Sequence, residues 1–136
     1  MAEADKLVQC CEVDGYRISL TPDDYIWGSN MVVMNHAMLL LLAHRFSSEA
    51  IYREAALEHV HYLLGRNALD ISYVSGFGDR PVRSMHYRPS VAAGLDTPLG
   101  LVAGGPNAGL HDEYAKAHLQ NQAPAYGGIK GKKGMG

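Results

Sequence analysis

From Met31 to Phe46 the sequence is apolar nearly all round. Met31, Val32, Val33, Met34, Ala37, Met38, Leu39, Leu40, Leu41, Leu42 and Ala43 cover every face of a helix. A helix of that kind is normally buried on all sides. It is too short for a membrane span, and Asn35 and His36 interrupt it. The stretch therefore asks for more protein around it than a chain of 136 residues readily gives. Exposed apolar helix faces of this size predict self-association, by dimerisation, hairpin swapping or aggregation.

The neighbouring segments predict an all-α chain. Ser47-Ser48-Glu49 reads as the cap of a second helix, from Ala50 to about Leu64. Ile51, Ala55, Val60, Leu63 and Leu64 fall on its apolar face, and Arg53, Glu54 and Glu58 take the other. Gly65 and Asn67 are stop signals. Two helices with so short a connection form an antiparallel αα-hairpin. Upstream, Asp14-Gly15-Tyr16-Arg17 is a turn signal. Thr21-Pro22-Asp23-Asp24 is a helix start or a single turn before Trp27, and Ser29 or Asn30 offers a second cap. Ser90 to Asn107 reads as loop, and Ala108 to Asn121 as a last helix. The final stretch, 127–136, is glycine and lysine with little to bury and is expected to be a flexible tail after a unit spanning 1–126.

Ser72 to Arg88, SYVSGFGDRPVRSMHYR, stands apart. Gly76, Gly78 and Pro81 exclude a helix. Tyr73, Phe77 and Tyr87 alternate with Asp79, Arg80, Arg83, His86 and Arg88, more chemistry than a linker needs. A long loop with its own packing is usually functional. In an extended segment His86 and Arg88 point to one side and Tyr87 to the other.

This loop resembles the histidine signature of the family 9 glycoside hydrolases, mostly endo-β-1,4-glucanases. Ser72, Val74, Ser75, Gly78, Arg80, Met85, His86 and Arg88 sit at the spacing of that signature. Tyr25-Ile26-Trp27-Gly28-Ser29-Asn30 resembles the family's YxWGSN, Tyr62 to Asn67 its YLLGRN, and Gly104-Gly105-Pro106-Asn107 its GGPN turn. The resemblance runs from roughly Gly15 to Tyr114. It implies part of an (α/α)6 barrel, about two helical hairpins with long functional loops, that acts on cellulose-type β-1,4-glucans. The implied partner is the glucan or a cello-oligosaccharide, and the implied location is extracellular. Met1 to Lys6 does not itself read as a secretory signal.

The resemblance also implies roles. His86 becomes the histidine of the catalytic subsite, a substrate-positioning and transition-state residue rather than the proton donor. Arg88 joins it. An arginine presents a rigid fan of donors, and a histidine one donor and one acceptor, or two donors. Together they can hold the hydroxyls of one glucosyl unit while its ring distorts. Tyr87, Trp27 and Tyr25 are candidates for stacking on sugar or for packing beside the helix start. The family's aspartate base and glutamic acid lie in stretches this sequence does not match. The nearest substitutes are Asp70, Asp79, Asp96, Asp112 and Glu113. Asp79 is the best placed, and Arg80 beside it would suit it to a base role. A non-catalytic glucan-binding remnant and a truncated gene fragment are the alternatives to an active glucanase.

Other residues carry bland readings. His59-Val60-His61 is poorly spaced to chelate on a helix, no carboxylate or cysteine cluster completes a site, and no metal or cofactor is expected. Cys10 and Cys11 are adjacent and read as free thiols. Asp112-Glu113 reads as acids at a helix start. A net charge of −2 gives no reason to expect nucleic acid or a membrane as partner.

Overall fold

The structure, a computed structural model, describes residues 1–83, 85–109, 113–118 and 125–126. It is helix-dominated. Helix α1 spans Ala2–Val13, α2 Ser29–Ser47, α3 Ala50–Leu63, α4 Arg88–Ala93 and α5 Glu113–His118. A two-residue strand β1, Pro106–Asn107, pairs antiparallel with β2, Ala125–Tyr126. The glycine–lysine tail, with His111 and Asp112, lies outside the described residues.

Helices α2 and α3 form the expected hairpin, and α1 packs against both. The turn between them differs from the expected cap. Ser48 adopts the left-handed conformation (φ 63°) and donates its backbone N–H to the His44 carbonyl, closing α2. Glu49 is the residue before α3, and it makes no side-chain cap. At the other end of α2, Gly28 at φ 86° precedes the helix, and neither Ser29 nor Asn30 caps it. Both are buried and bond elsewhere. Thr21-Pro22-Asp23-Asp24 is a single 3-10 turn with a reciprocal capping box between Thr21 and Asp24.

The buried face of α3 is also rotated from the expected one. Tyr52, Ala55, Ala56, His59, Tyr62 and Leu63 face inward, while Ile51, Val60 and Leu64 are exposed. Hydrophobicity alone misplaces this face because three inward residues carry polar atoms. Tyr52 and His59 find their partners inside. The Tyr52 hydroxyl donates to Asp5 Oδ1 at 2.6 Å, and that bond first, with burial second, pushes its pKa up to about 12. Tyr52 thus stays a donor and ties α3 to α1.

Two apolar clusters result. One joins Leu7, Val8 and Cys11 of α1 to Leu40 of α2 and Tyr52 and Ala56 of α3. The other joins Ile18 and Leu20 to Val33, Tyr62, Leu63, Tyr73, Val82 and Ala103. Between them lies a polar layer. His59 Nδ1 is 2.8 Å from the Ala55 carbonyl and carries the proton there. Its Nε2 then accepts from the Ser19 hydroxyl at 2.8 Å, and Ser19 Oγ in turn lies 2.8 Å from His36 Nδ1. Burial pushes the Cys11 thiol up to about 11, with Cys10 adding to it, so Cys11 is a protonated packing residue.

Much of α2 outside these clusters is exposed: Met31, Met34, Met38, Leu41, Leu42 and, at 81%, Phe46. Val33, Leu40 and Ala43 are the apolar residues it buries. The chain's own helices therefore cover one face of the segment whose composition calls for covering all round. No helix among the described residues is long and apolar enough to cross a membrane.

The polar layer makes stability depend on acid. Burial lowers the pKa of His59 from its ordinary value of 6.5, His36 adds to the lowering, and the Ala55 carbonyl opposes it. The unfolded chain therefore takes up this proton first as pH falls. The His59 contribution is intact above 6.5 and is lost as pH falls from there through the lowered folded value. Thermal midpoints measured from pH 8 to pH 5 should fall across this range, and His59→Gln should flatten the dependence while lowering the plateau. A wild-type profile as flat as the variant's contradicts this reading.

Candidate functional site

The four sequence motifs converge on one line of backbone. At the end of α3, Asn67 turns its side chain back. Its Nδ2 donates to the carbonyls of Tyr62 (2.9 Å) and Ile71 (2.8 Å), and its Oδ1 accepts from Leu69 N–H. This satisfies a carbonyl left over at the helix end and aims the chain into the loop. Tyr73 N–H then donates to the Leu63 carbonyl at 2.7 Å. Ala103 N–H donates to the Tyr73 carbonyl at 2.8 Å. Asn30 Nδ2, in the first turn of α2, donates to the Ala103 carbonyl at 2.9 Å. Asn30 N–H takes the Gly104 carbonyl at 3.0 Å, and Ser29 Oγ donates to the Pro106 carbonyl. The residues expected to cap α2 are thus the clamp on the GGPN turn.

Gly105 shows how close that clamp is. Its φ is +89°, and a Cβ there would stand 2.5 Å from Asn30 Cγ, so no larger residue fits without displacing a buried side chain. Tyr25 joins the same cluster through its carbonyl, which accepts from Ala108 N–H at 2.8 Å.

Residues 72–75 form a spine with a partner on each side. Ser72 N–H donates to the Arg80 carbonyl and Val82 N–H to the Ser72 carbonyl, both at 2.9 Å. On the other side Val74 bridges Val102 antiparallel. Gly78 at φ +83° permits the return, because a Cβ there would meet Ser72 Cβ at 3.0 Å. The chain is thereby brought to His86.

His86, Tyr87 and Arg88 are exposed at the end of this path. Tyr87 is extended (φ −106°, ψ 106°), but α4 opens at Arg88, inside the stretch expected to be loop. Pro89 early in that helix explains the change, since its fixed φ suits a first helical turn. Among the described residues the His86 ring, the Arg88 guanidinium and the Asp79 carboxylate make no hydrogen bond or ion pair. Arg80 pairs with Asp70 at 2.9 Å, away from its neighbour Asp79. Trp27 is 55% exposed beside the start of α2. The hydrogen bonds join Tyr25 to Ala108, just past the GGPN turn, and the spine to Val82, four residues before His86. No bond among the described residues links Trp27, Asp79 and His86 to one another. Sequence reasoning missed the buried polar supports, Asn30, Ser72 and Ser75. Each lies inside a recognised motif, but its role shows only once its partner's position is known.

The family model for glycosyl hydrolase family 9 matches residues 2–124. The chain belongs to that family. It is 41% identical over 117 residues to a cellodextrinase of Butyrivibrio fibrisolvens, covering 85% of this chain and 21% of the relative. It is 34% identical over 113 residues to endoglucanase D of Acetivibrio thermocellus, covering 82% and 18%. The solved structure of AaCel9A with a cellobiose-like isofagomine matches with a TM-score of 0.81 and 45% identity, over 92% of this chain and 24% of that one. This family 9 chain thus spans less than a quarter of the length of these three relatives. Its fold is part of an (α/α)6 barrel.

The clamp gives a stability test. Asn30→Ala strands the buried Ala103 carbonyl and should cost about 1–3 kcal/mol. Gly105→Ala forces a side chain into the left-handed region against Asn30 and should cost about as much or more. Urea midpoints for both variants check this, and midpoints within error of wild type would show that the turn is not held as described.

Proposed function

We propose that this chain forms the substrate-holding part of a family 9 endo-β-1,4-glucanase site, with His86 and Arg88 in the glucan subsite. The observation that carries the reading is an exposed His-Tyr-Arg triplet beyond a spine pinned on both sides, with the His86 ring and the Arg88 guanidinium making no hydrogen bond or ion pair among the described residues. Side chains so presented are available to hydroxyls. Arg88 would hold a glucosyl unit through parallel donors, and His86 would act as donor or acceptor on the same ring. Bonds of this kind that shorten as the ring flattens lower the barrier without moving a proton. Tyr87 and Trp27, both exposed, would face the apolar sides of sugar rings, with Tyr25, half-buried against the second apolar cluster, as a third candidate. Asp79 would accept from hydroxyls. In this reading 1–126 is part of a family 9 catalytic domain, with 127–136 as a glycine–lysine tail.

Inverting hydrolysis also needs an acid and a base about 6.5–9.5 Å apart across the scissile bond. The family's acid and base stretches have no counterpart in this sequence, so the proposal assigns binding geometry to this chain and not the proton-transfer pair. Each missing partner would slow hydrolysis roughly 10²–10⁴-fold. The exposed α2 face further supports self-association of the isolated chain.

Calorimetry with cellohexaose tests the reading. Wild type should bind, and Arg88→Ala should bind about tenfold or more weakly, the loss expected for hydrogen bonds to a charged group. Equal affinities would remove Arg88 from the subsite. Carboxymethylcellulose turnover at ordinary cellulase rates that falls in Asp79→Asn would instead show a rebuilt acid–base pair. Sedimentation at low micromolar concentration should show dimers or larger species, and a stable monomer would refute the self-association.

A further inference from the structure

His86 and Arg88 lie on an excursion that leaves the core at Val82 and returns at Pro98. Both roots stand on the same spine. The outgoing root is fixed by Val82 N–H on the Ser72 carbonyl. The returning root is fixed by Ser75, which is buried and holds the 98–101 turn four times. Its hydroxyl donates to the Pro98 carbonyl at 2.6 Å and accepts from Leu101 N–H at 2.9 Å. Its backbone N–H donates to the Leu101 carbonyl and its carbonyl accepts from Gly100 N–H. Gly76 (φ +75°) lies beneath Leu99, where a Cβ would collide with Leu99 Cδ2.

One side chain ties the two roots together. Thr97, beside Pro98, donates its hydroxyl to the Arg83 carbonyl at 3.1 Å. Within residues 87–95 the excursion has bonds of its own. Ser90 Oγ donates to the Tyr87 carbonyl, and Leu95 N–H returns to the Ser90 carbonyl past Gly94 at φ 64°. The excursion is therefore fastened to the spine at both roots, and the Thr97 bond joins one root to the other.

We propose that Thr97 is a positioning residue: its hydroxyl, seated by Ser75 and acting through the Arg83 carbonyl, fixes the direction in which His86 and Arg88 are presented. The assignment rests on the glucan-subsite reading above. It adds that the alignment of that subsite depends on a hydroxyl that touches no substrate.

Thr97→Val keeps the shape of the side chain and removes the donor, and Thr97→Ser keeps the donor. Amide hydrogen exchange over residues 85–95, cellohexaose affinity and the thermal midpoint are measured for wild type and both variants. The bond contributes only modestly to stability. Thr97→Val should leave the midpoint within a degree or two of wild type, while exchange speeds up and affinity weakens, each by roughly two- to tenfold. Thr97→Ser should restore both. Ser75→Ala should speed the same amides and also lower the midpoint, since it leaves both the Pro98 carbonyl and the Leu101 N–H without their partner. Unchanged exchange in Thr97→Val, or a Thr97→Ser variant as fast as Thr97→Val, overturns the proposal. If wild type binds no cellohexaose, the subsite reading fails by itself and the exchange comparison alone decides whether Thr97 holds the excursion.

Discussion

Three hydrogen bonds in series hold this molecule's surface in place: Leu63 carbonyl to Tyr73, Tyr73 carbonyl to Ala103, and Ala103 carbonyl to Asn30. They run from the end of one helix of the hairpin, through two loops, to the start of the other. Loops ordinarily sit outside such a framework because their backbone groups are solvated. Here the groups are removed from water, Tyr73 and Ala103 being almost fully buried, so each must be paired. The pairing fixes the loops as firmly as a sheet would, although the described residues hold only two-residue strands.

The hairpin that carries this framework is itself divided by polarity. A serine and two histidines separate one apolar cluster from the other, each offering a proton or a lone pair to the next. On α2 the change falls at His36, between Val33 and Leu40; on α3 it falls at His59, between Ala56 and Tyr62. A slip of one helix past the other would leave these partners unmatched, a penalty that purely apolar contacts would not impose. The layer therefore fixes the register of the two helices, and with it the distance between the ends that grip the loops.

Two helices were legible in the sequence: Met31 to Phe46 and Ala50 to Leu64 come out within a residue or two, and the turn between them falls in the expected place with a different cap. Helix α1, which buries Ala4, Leu7, Val8 and Cys11, was not foreseen. The inward face of α3 was not legible, because Tyr52, His59 and Tyr62 are buried through partners on distant segments. The same limit applies to Asn30. A helix-start asparagine is ordinarily a cap, and nothing nearby says that its amide reaches a carbonyl 73 positions away. Family motifs marked Ser72, Ser75, His86 and Arg88 as belonging together, but gave no sign of which are exposed and which are supports. The short helix at Arg88 was hidden by the glycines and prolines around it.

The serial bonds have a consequence for how the chain can be divided. Asn30 belongs to the first helix of the hairpin, Leu63 to the second, Tyr73 to the signature loop and Ala103 to the last turn, and removing any one of these segments leaves buried groups of the others unpaired. A synthetic peptide of the signature loop would keep the triplet and lose the bonds from Leu63, Ala103 and Thr97 that tie the loop to the rest. The α2–α3 hairpin by itself would lack Ser19, which joins His36 to His59, and would present nothing. The arrangement around His86 is thus a property of the assembled stretch from the turn before α2 to the turn after Ala103, and no shorter piece retains it.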